Sequence, residues 1–242
     1  MEFQTLETAR ITGLHKEELT APQPCGPGGL NRMMQQATEH GMQRLGVSVE
    51  ELMGAGLLWV ICFSQINVKR MPCGGESVSI YTWPGAEKMG MFTRRYAAFT
   101  QEGEELFTAA SLFSLVNETT RALVLPADSG FIFPVVNLPD EPKLPRFSAR
   151  GTEGNLEISH PVTSDEIDKN GHVNNAFYLD WAEEVRQKEA LSAPDDVTSI
   201  WIGYSKEVLQ DQLVTMRYGC NEQELFLRGY VNGESCFTIV FG

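Results

Sequence analysis

Apolar and polar residues along this chain follow two periods, one typical of helices and one typical of strands. Apolar side chains recur at helical spacing over 30–45 and again from Val173 to Val185. Strand-like stretches precede and follow each helical one, and the predicted strands are 3–11, 57–68, 77–83, 91–100, 106–117, 121–125, 156–162, 198–208, 212–218, 224–231 and 236–241. The sequence therefore predicts strand, helix and antiparallel meander, in that order, twice.

Turn and linker residues divide the two copies of this plan. A loop rich in Pro and Gly at 21–29 precedes the first helix, which Gly46 is placed to end. Four prolines at 134, 139, 142 and 145 stand among clustered polar residues, as in an extended linker. We therefore predict an N-terminal domain at 1–127, a linker at 128–154 and a C-terminal domain at 155–242.

A fixed offset relates the two halves. Trp59 and Trp201, which follow the two helices, lie 142 residues apart, and the same offset carries Gly171 onto Gly29 near the helix starts. It also carries the polar residues Asp168, Asn170 and Glu207 onto Gly26, Gly28 and Gln65. The match indicates a duplication in which the first half lost its polar groups; coincidence between two common strand and helix patterns is the alternative.

Composition narrows the classes of protein. The 242 residues carry a net charge of -13, which argues against nucleic acid or an anionic membrane as a partner. No run approaches the roughly 18 apolar residues of a membrane span, and the first residues form no signal peptide, so we expect a cytoplasmic protein. The five cysteines form no CxxC pair and are odd in number, which favours reduced thiols.

The candidate chemistry lies just before the second helix. Asp168, Asn170 and His172 are spaced by two, so in an extended segment a carboxylate, an amide and an imidazole converge on one face. Asn174 or Asn175 can cap the following helix, and 193–196 can end it. The alternative is that Asp-Lys-Asn-Gly only forms a turn and that His172 is an ordinary, partly buried surface residue.

These residues resemble a known signature. Asp-x-Asn-x-His-Val-Asn-Asn at 168–175, then Tyr178 and Trp181-x-x-Glu184, is similar to the motif of the plant and bacterial acyl-acyl carrier protein thioesterases. The likeness covers the whole chain, and in the first half it is carried by Leu45-Gly46, Trp59-Val60, the 72–76 turn, Thr82-Trp83-Pro84, Arg95-Tyr96 and Gly103-Glu104. It implies an α+β double hotdog, in which each of two tandem domains wraps a curved antiparallel sheet around one long helix.

The resemblance also implies an activity and its residues. The family hydrolyses the thioester of a fatty acyl chain on acyl carrier protein, which is the expected partner, and a homodimer is compatible with the sequence. Asp168, Asn170 and His172 match the active-site triplet and Glu207 a further carboxylate. The plant enzymes carry a cysteine directly after that glutamate, where this chain has Val208, so a cysteine nucleophile is not expected.

Thioester chemistry suits these residue types. Asp168 or Glu207 would activate water, or Asp168 would attack directly to form a mixed anhydride, while Asn170, His172 and helix amides near Val173 would orient water or bind the oxyanion. No cofactor is expected. A metal site formed by Asp168 and His172 is possible on spacing alone, but none is expected, because we predict no ligand-like neighbours for the histidines at 15, 40 and 160.

The acyl chain and the carrier protein need surfaces of their own. Eight of the nine methionines lie in the first 91 residues, and flexible thioethers suit irregular apolar guests. Together with the family's use of the first domain for the acyl tail, this predicts a tunnel lined partly by Met33, Met34, Ala37 and Trp59. For docking of the acidic carrier protein, the candidate basic patches are Lys69-Arg70, Arg94-Arg95 and 143–150.

Two other functional classes stay open at the level of sequence. One is a different hotdog enzyme, an acyl-coenzyme A thioesterase or a dehydratase. The other is a non-catalytic module that binds acyl chains. A dehydratase has no evident use for Asn170, and a binding module has no need for Asp168, Asn170, His172 and Glu207 together.

Overall fold

One antiparallel sheet forms most of the protein. The computed structural model describes residues 13–149, 151, 153–188, 197–221 and 224–242, and within them eleven strands are joined in a single sheet. The strands are β1 His15–Thr20, β2 Leu57–Val68, β3 Ser77–Lys88, β4 Met91–Thr100, β5 Glu105–Asn117, β6 Leu123–Val124, β7 Leu156–Pro161, β8 Ser199–Tyr204, β9 Leu213–Cys220, β10 Leu225–Val231 and β11 Glu234–Phe241. The strand predicted at 3–11 and the helix end predicted at 193–196 lie outside the described residues.

The order of the strands repeats itself. The first half of the sheet runs β1-β3-β4-β5-β2 and the second half runs β7-β9-β10-β11-β8, with β6 added beside β5. The two halves meet where β2 pairs with β8, from Phe63 opposite Gly203 to Asn67 opposite Ser199. The predicted plan of two equivalent units joined side by side is therefore confirmed.

Three helices accompany the sheet in the described residues. Helix α1, Pro27–Arg44, starts with a proline in its first turn, and Gly46 follows its end at φ +68°, as the sequence predicts. Helix α2, Val49–Gly54, carries a capping box from Ser48 and Glu51. Helix α3 is Asn175–Lys188, and the Asn174 side chain accepts a hydrogen bond from the Ala176 amide at its start. No described helix is both long and apolar enough to cross a membrane.

The apolar faces of α1 and α3 share the main core with the inner face of the sheet. The buried residues Met33, Met34 and Leu30 of α1 belong to the same cluster as Trp181 and Val185 of α3. Complete burial of one such side chain stabilises the fold by about 1.5–3 kcal/mol. This shared burial holds the two units together. The helices also meet through the Arg32–Asp180 ion pair, at 2.5 Å between Nη2 and Oδ2.

The 142-residue offset holds for the strands but not for the helices. Strands β2 and β8 begin at 57 and 199, 142 residues apart, whereas α1 and α3 begin at 27 and 175, 148 residues apart. The first half thus takes six residues more than the second to run from its helix start to its strand start, and the described part of α1, at 18 residues, is longer than that of α3, at 14. The predicted coincidence of the helix starts is wrong for this reason.

Strand β1 is not predicted by the apolar pattern. Its inward-facing positions include His15 and Glu17, and His15 is only 4% exposed. Because an edge strand with polar residues on its buried face shows no apolar alternation, its sequence looks like that of a loop.

Candidate active site

The segment before α3 is a closed loop and not an extended strand. Backbone hydrogen bonds join Asn174 to Glu166 and Asp168 to His172, both at 2.9 Å, and the Gly171 amide donates to the Asp168 carbonyl at 3.0 Å. Gly171 takes φ +84°, which a residue with a side chain rarely adopts. The predicted extended conformation is therefore wrong. The Asp168 carboxylate favours the turn, because it accepts a hydrogen bond from the backbone amide of Asn170 at 2.8 Å.

The turn nevertheless brings the three predicted side chains together. The Asn170 Nδ2 group donates to Asp168 Oδ2 at 3.3 Å, and His172 Nδ1 lies 3.8 Å from Asp168 Oδ1. The side chains of Asp168 and His172 are 19% and 25% exposed. A carboxylate, an amide and an imidazole thus share one partly solvated site.

The Val173 amide is not available as an oxyanion donor. It donates to the Val208 carbonyl at 2.9 Å, so this prediction is wrong. The next amides are also bonded, Asn174 to Glu166 and Ala176 to the Asn174 side chain. The Val173–Val208 bond instead ties the loop to the segment that follows β8.

Glu207 lies on that segment, but its side chain points to the first half of the protein. It is exposed and forms an ion pair with Arg121, with 2.7 Å between Nη2 and Oε1. Arg121 lies in the turn after β5, 86 residues earlier in the chain, so no local sequence signal marks it. The structure therefore pairs Glu207 with a cation and shows no hydrogen bond from it to the triplet among the described residues.

Tyr178 lies near both predicted carboxylates, Asp168 and Glu207. Burial raises the pKa of its hydroxyl, and the nearby Cys236, Glu207 and Asp168 raise the pKa further. Its hydroxyl also bonds the backbone of Val208. Tyr178 thus faces the site as a neutral group, and the resemblance singled it out only as part of the motif.

A buried glutamate anchors the start of the loop. Glu166 is 7% exposed and accepts hydrogen bonds from Trp181 Nε1 at 2.7 Å and from the Thr163 amide at 2.8 Å, while His160 Nε2 lies at 2.9 Å. Burial alone raises the pKa of this carboxyl, but the bonds from Thr163, Trp181 and His160 outweigh it and hold the pKa below its ordinary value. Sequence reasoning missed this network, although Thr163 and Glu166 form the T-x-x-E capping box of a short 3-10 helix, Ser164–Glu166, which is a sequence signal. Only the contact with Trp181, 15 residues from Glu166, depends on the fold.

Cys236, which lies near Tyr178, is a poor nucleophile. Cys236 is buried, and burial raises the pKa of its thiol. Cys220 is half-buried on β9. The thiolate is the reactive form of cysteine, so a raised pKa makes the Cys236 thiol less reactive.

The residues predicted to hold the acyl chain fall into two separate groups. Met33, Met34 and Ala37 are buried in the main core cluster. Trp59 belongs to a second cluster with Met42, where it stacks on Phe113 at 4.9 Å between ring centroids. Because Met42 is nine residues beyond Met33, about 13 Å along the helix, Trp59 packs toward the other end of α1 from the other three residues. The tunnel itself stays a prediction.

A belt of buried polar groups lies between these two clusters. It pairs Thr38 with Tyr96 and Ser64 with Ser111, each at 2.7 Å between oxygens. The fully buried guanidinium of Arg94 donates to Thr82 at 3.2 Å. The inner face of the first half is thus apolar at its two ends and polar in between.

Two of the three predicted basic patches are already engaged. Arg70 pairs with Glu76 and Glu104, and Lys69 pairs with Glu105. Arg94 is buried, and Arg95 Nη2 lies 3.0 Å from Glu141. In the third patch, Lys143 and Arg146 are exposed, and Arg150 lies outside the described residues.

Each of the three histidines outside the triplet lies beside a glutamate carboxylate. His160 contacts Glu166, and His15 and His40 both contact Glu17. The prediction that they lack ligand-like neighbours is therefore wrong.

Comparison with known proteins identifies the family. A model of the acyl-ACP thioesterase N-terminal domain matches residues 29–128, and a model of the C-terminal domain of the same family matches 151–230. The chain belongs to the acyl-ACP thioesterase family. The resemblance drawn from the 168–184 motif is thereby confirmed.

Relatives of this acyl-ACP thioesterase family member include plant proteins. The chloroplastic acyl-[acyl-carrier-protein] hydrolase FATB2 of Cuphea viscosissima is 28% identical over 194 residues, which are 74% of this chain and 46% of that protein. The chloroplastic dodecanoyl-[acyl-carrier-protein] hydrolase of Cinnamomum camphora is 28% identical over 189 residues, 72% of this chain and 49% of that protein. The chain spans about half the length of the curated relatives it matches.

Solved structures share the fold. An acyl-ACP thioesterase from Bacteroides thetaiotaomicron matches with a TM-score of 0.79 at 17% identity, covering 94% of this chain and 96% of that one. A 12:0-ACP thioesterase from Umbellularia californica matches with a TM-score of 0.75 at 20% identity, covering 94% of this chain and 96% of that one. The predicted α+β double hotdog is confirmed.

Proposed function

We propose that this protein hydrolyses the thioester that joins a fatty acyl chain to acyl carrier protein and so releases a free fatty acid. The observation that carries the proposal is the convergence of Asp168, Asn170 and His172 in a loop that matches the family motif. The plant relatives are named as hydrolases of acyl-acyl carrier protein, which supports the same substrate class here.

Asp168 is the general base of the proposed reaction. Its carboxylate is partly solvated, so a water molecule can reach it and give up a proton as it adds to the thioester carbonyl. The tetrahedral adduct then collapses and expels the thiolate, whose parent thiol has a pKa of about 8.5 by analogy with cysteine. Because this leaving group departs readily, the reaction needs no strong general acid.

Asn170 binds the oxyanion in this scheme and His172 orients the attacking water. The side-chain amide of Asn170 is exposed and can donate to the oxyanion. His172 Nδ1 faces the Val173 carbonyl at 3.4 Å and the Asp168 carboxylate at 3.8 Å, so Nδ1 carries the ring proton and Nε2 can accept a hydrogen bond from water. Removal of one such donor typically slows an enzyme by about a hundredfold to a thousandfold. The Asn170 side chain replaces the Val173 amide, which is bonded to Val208.

Glu207 is the less suitable base. Its carboxylate is paired with Arg121 and shows no hydrogen bond to Asp168, Asn170 or His172 among the described residues. We therefore give Glu207 an electrostatic role beside Tyr178. Direct attack by Asp168, with a mixed anhydride as intermediate, remains the mechanistic alternative and needs no different residues.

The two halves divide the work in this proposal. The domain at 155–242 supplies the chemistry, and the domain at 1–127 holds the acyl chain against Met33, Met34 and Ala37, with 128–154 as the linker. The polar belt of Arg94, Ser64 and Ser111 would end the apolar part of the acyl site, because an alkyl tail gains nothing by desolvating buried polar groups. Chain length would then be set at the N-terminal end of α1.

Acyl carrier protein is the proposed partner, and Lys143 and Arg146 are the proposed contacts for its acidic surface. Both side chains are exposed, whereas those of the other two patches are paired or buried. A homodimer, a cytoplasmic location and a bacterial source stay predictions. The plant relatives are named as chloroplastic.

A panel of thioesters tests the proposal. Purified protein is assayed with acyl-acyl carrier protein and acyl-coenzyme A substrates of matched chain length, and free thiol is measured. The proposal predicts hydrolysis with a higher kcat/KM on the carrier-protein substrates. Preference for coenzyme A would favour the acyl-coenzyme A thioesterase, and binding of acyl chains without hydrolysis would favour the non-catalytic module. Dehydration of a 3-hydroxyacyl thioester would favour the dehydratase.

A further inference from the structure

A cluster of two histidines and a glutamate joins the edge strand β1 to helix α1. His15 and Glu17 are two positions apart on β1, so both side chains point to the same face of the strand. His40 lies near the C-terminal end of α1, on the part of the helix that passes over this edge. The cluster lies in the first half, outside the proposed catalytic loop.

One carboxylate oxygen serves both imidazoles. Glu17 Oε2 lies 2.9 Å from His15 Nε2 and 3.0 Å from His40 Nδ1. The three atoms lie within 4.8 Å of one another. His15 is almost fully buried, whereas the side chain of His40 is 42% exposed, so the cluster is held by the fold on one side and open to solvent on the other.

We propose that His15, Glu17 and His40 form a zinc site. Two imidazoles and a carboxylate are a known ligand set for Zn²⁺, with metal–ligand distances of about 2.0–2.2 Å. Tetrahedral coordination at these distances separates the ligand atoms by about 3.3 Å. The observed separations of 2.9 and 3.0 Å need to open by only a few tenths of an ångström, and the exposed side of His40 leaves the fourth position to water.

The surroundings favour the form of the ligands that binds metal. Burial lowers the pKa of His15, and the nearby charge of Arg44 lowers it further, although the Glu17 hydrogen bond opposes both. Its Nδ1 atom is buried and has no hydrogen-bond partner among the described residues, so Nε2, which faces Glu17 at 2.9 Å, is the nitrogen placed to bind the cation.

Two arginines limit the affinity of the site. Arg44 acts on His15 as described, and the buried Arg94 shares the space around Gly41 with the His15 ring. Both guanidinium groups repel a cation, and Glu17 alone of the three ligands is negative. We therefore expect weaker binding than at a closed structural zinc site with four protein ligands.

Zinc binding would fasten β1 to α1. Strand β1 pairs only with β3 among the described strands, so a bond from its inner face to the helix restrains an edge of the sheet. A cation that binds the folded protein and not the unfolded chain raises the melting temperature. The site would thus stabilise the half that holds Met33, Met34 and Ala37, with no part in the hydrolysis itself.

Calorimetric titration of the chelator-treated protein with zinc chloride tests the proposal. We expect one bound Zn²⁺ per chain and a rise in melting temperature that excess chelator reverses. Replacing a ligand, as in His40→Ala or Glu17→Gln, should weaken binding by about tenfold or more. The matched controls Glu18→Gln, which changes the neighbouring carboxylate on the opposite face of β1, and Cys73→Ser, which removes an exposed thiol, should bind zinc like the wild type.

The site would be refuted by either of two results. One is absence of saturable zinc binding by the folded wild type; the other is wild-type affinity in both His40→Ala and Glu17→Gln. Zinc-edge absorption spectroscopy on the loaded wild type supports the site if it shows two imidazole ligands and opposes it if it shows sulfur. Magnesium chloride should give no shift in melting temperature, because Mg²⁺ prefers oxygen ligands. None of these measurements depends on thioester hydrolysis.

Discussion

Asp168 is the residue on which the proposed chemistry depends, and its position follows from the turn that it helps to form. Its carboxylate accepts the Asn170 amide and meets the side chains of Asn170 and His172. The sequence predicts that these three groups converge, but for a different geometric reason. Turn chemistry and an active site were alternatives at the level of sequence, and the structure combines them because a tight turn also brings neighbouring side chains together.

Contacts between distant residues are the part of the site that the sequence could not supply. Arg121 reaches Glu207 from the other half, and Val208 takes the Val173 amide. The segment after β8 thus contacts the turn after β5 through Glu207 and the catalytic loop through Val208. No spacing or composition marks such a pair in advance, since each partner is an ordinary polar or apolar residue in its own stretch.

Glu166→Gln should impair catalysis without touching substrate. The variant keeps the shape of the side chain but loses the charge that Trp181, Thr163 and His160 stabilise. We expect kcat to fall with little change in KM, and the free energy of unfolding to fall by about 1–3 kcal/mol. Steady-state kinetics and urea unfolding measure the two effects.

The pH dependence of this loss has a defined sign. Since the folded-state pKa of Glu166 is lowered, its stabilisation is present above the ordinary carboxyl value of 4.5 and is lost as the pH falls through the folded-state pKa. Wild type and Glu166→Gln should therefore converge in stability in acid. The control Asp165→Asn, an exposed neighbour, should match the wild type; equal kcat in Glu166→Gln would contradict the positioning role.

At the scale of elements, most strands and helices could be predicted and the exceptions have physical causes. The apolar patterns place β2 and β4 at their observed bounds. Strand β8 ends at Tyr204, short of the predicted 208, because the Ser205 and Lys206 amides both turn to the Cys236 carbonyl. Strand β1 escapes prediction because its buried face carries His15 and Glu17.

Ala37→Phe should shift the substrate preference toward shorter acyl chains. Ala37 is fully buried on α1 beside Met33 and Met34, so a larger side chain takes space from the acyl tail. Each excluded methylene forfeits about 0.8 kcal/mol of burial, or about a fourfold loss in affinity. The variant also loses about 1–3 kcal/mol of stability from overpacking. The measurement is kcat/KM across chain lengths on folded protein.

Trp59→Phe is the matched control for this shift. Trp59 lies in the other apolar cluster, against Phe113 and Phe133. The Trp59→Phe variant should therefore have the same chain-length profile as the wild type. If Trp59→Phe shifts the profile and Ala37→Phe does not, the acyl tail lies at the other end of α1 and the proposed boundary at the polar belt is wrong.

At the scale of the whole molecule, the two halves form one sheet through β2 and β8 and one core through α1 and α3. The sequence predicts the repeated plan, since both halves carry the same order of patterns. It does not predict the difference between the helix and strand offsets, because the apolar pattern places the helix starts near Gly29 and Gly171, whereas α1 begins at Pro27 and α3 at Asn175.

Gly28→Val should weaken the contact between the halves. A Cβ atom at Gly28 would collide with the Asp180 carboxylate and lie 2.8 Å from the Ala176 carbonyl oxygen, and that backbone cannot move without shifting α3. We expect the free energy of unfolding to fall by about 1–3 kcal/mol. For a chain of this size, each kcal/mol lowers the melting temperature by about 2–4 °C. Gly26→Ala is the control, since its Cβ meets no atom within 4 Å, and equal melting temperatures in the two variants would contradict the close helix contact.

The most direct test of the account is the kcat of Asp168→Asn on an acyl-acyl carrier protein substrate, measured on protein whose melting temperature and circular dichroism show an intact fold. Asn keeps the size of the side chain but cannot accept a proton from water. The account predicts a fall in kcat of about a hundredfold to ten-thousandfold, the range that general base catalysis contributes, with Asp165→Asn as the unaffected control. A folded Asp168→Asn protein that retains most of the wild-type kcat would contradict the assignment of Asp168 as the base.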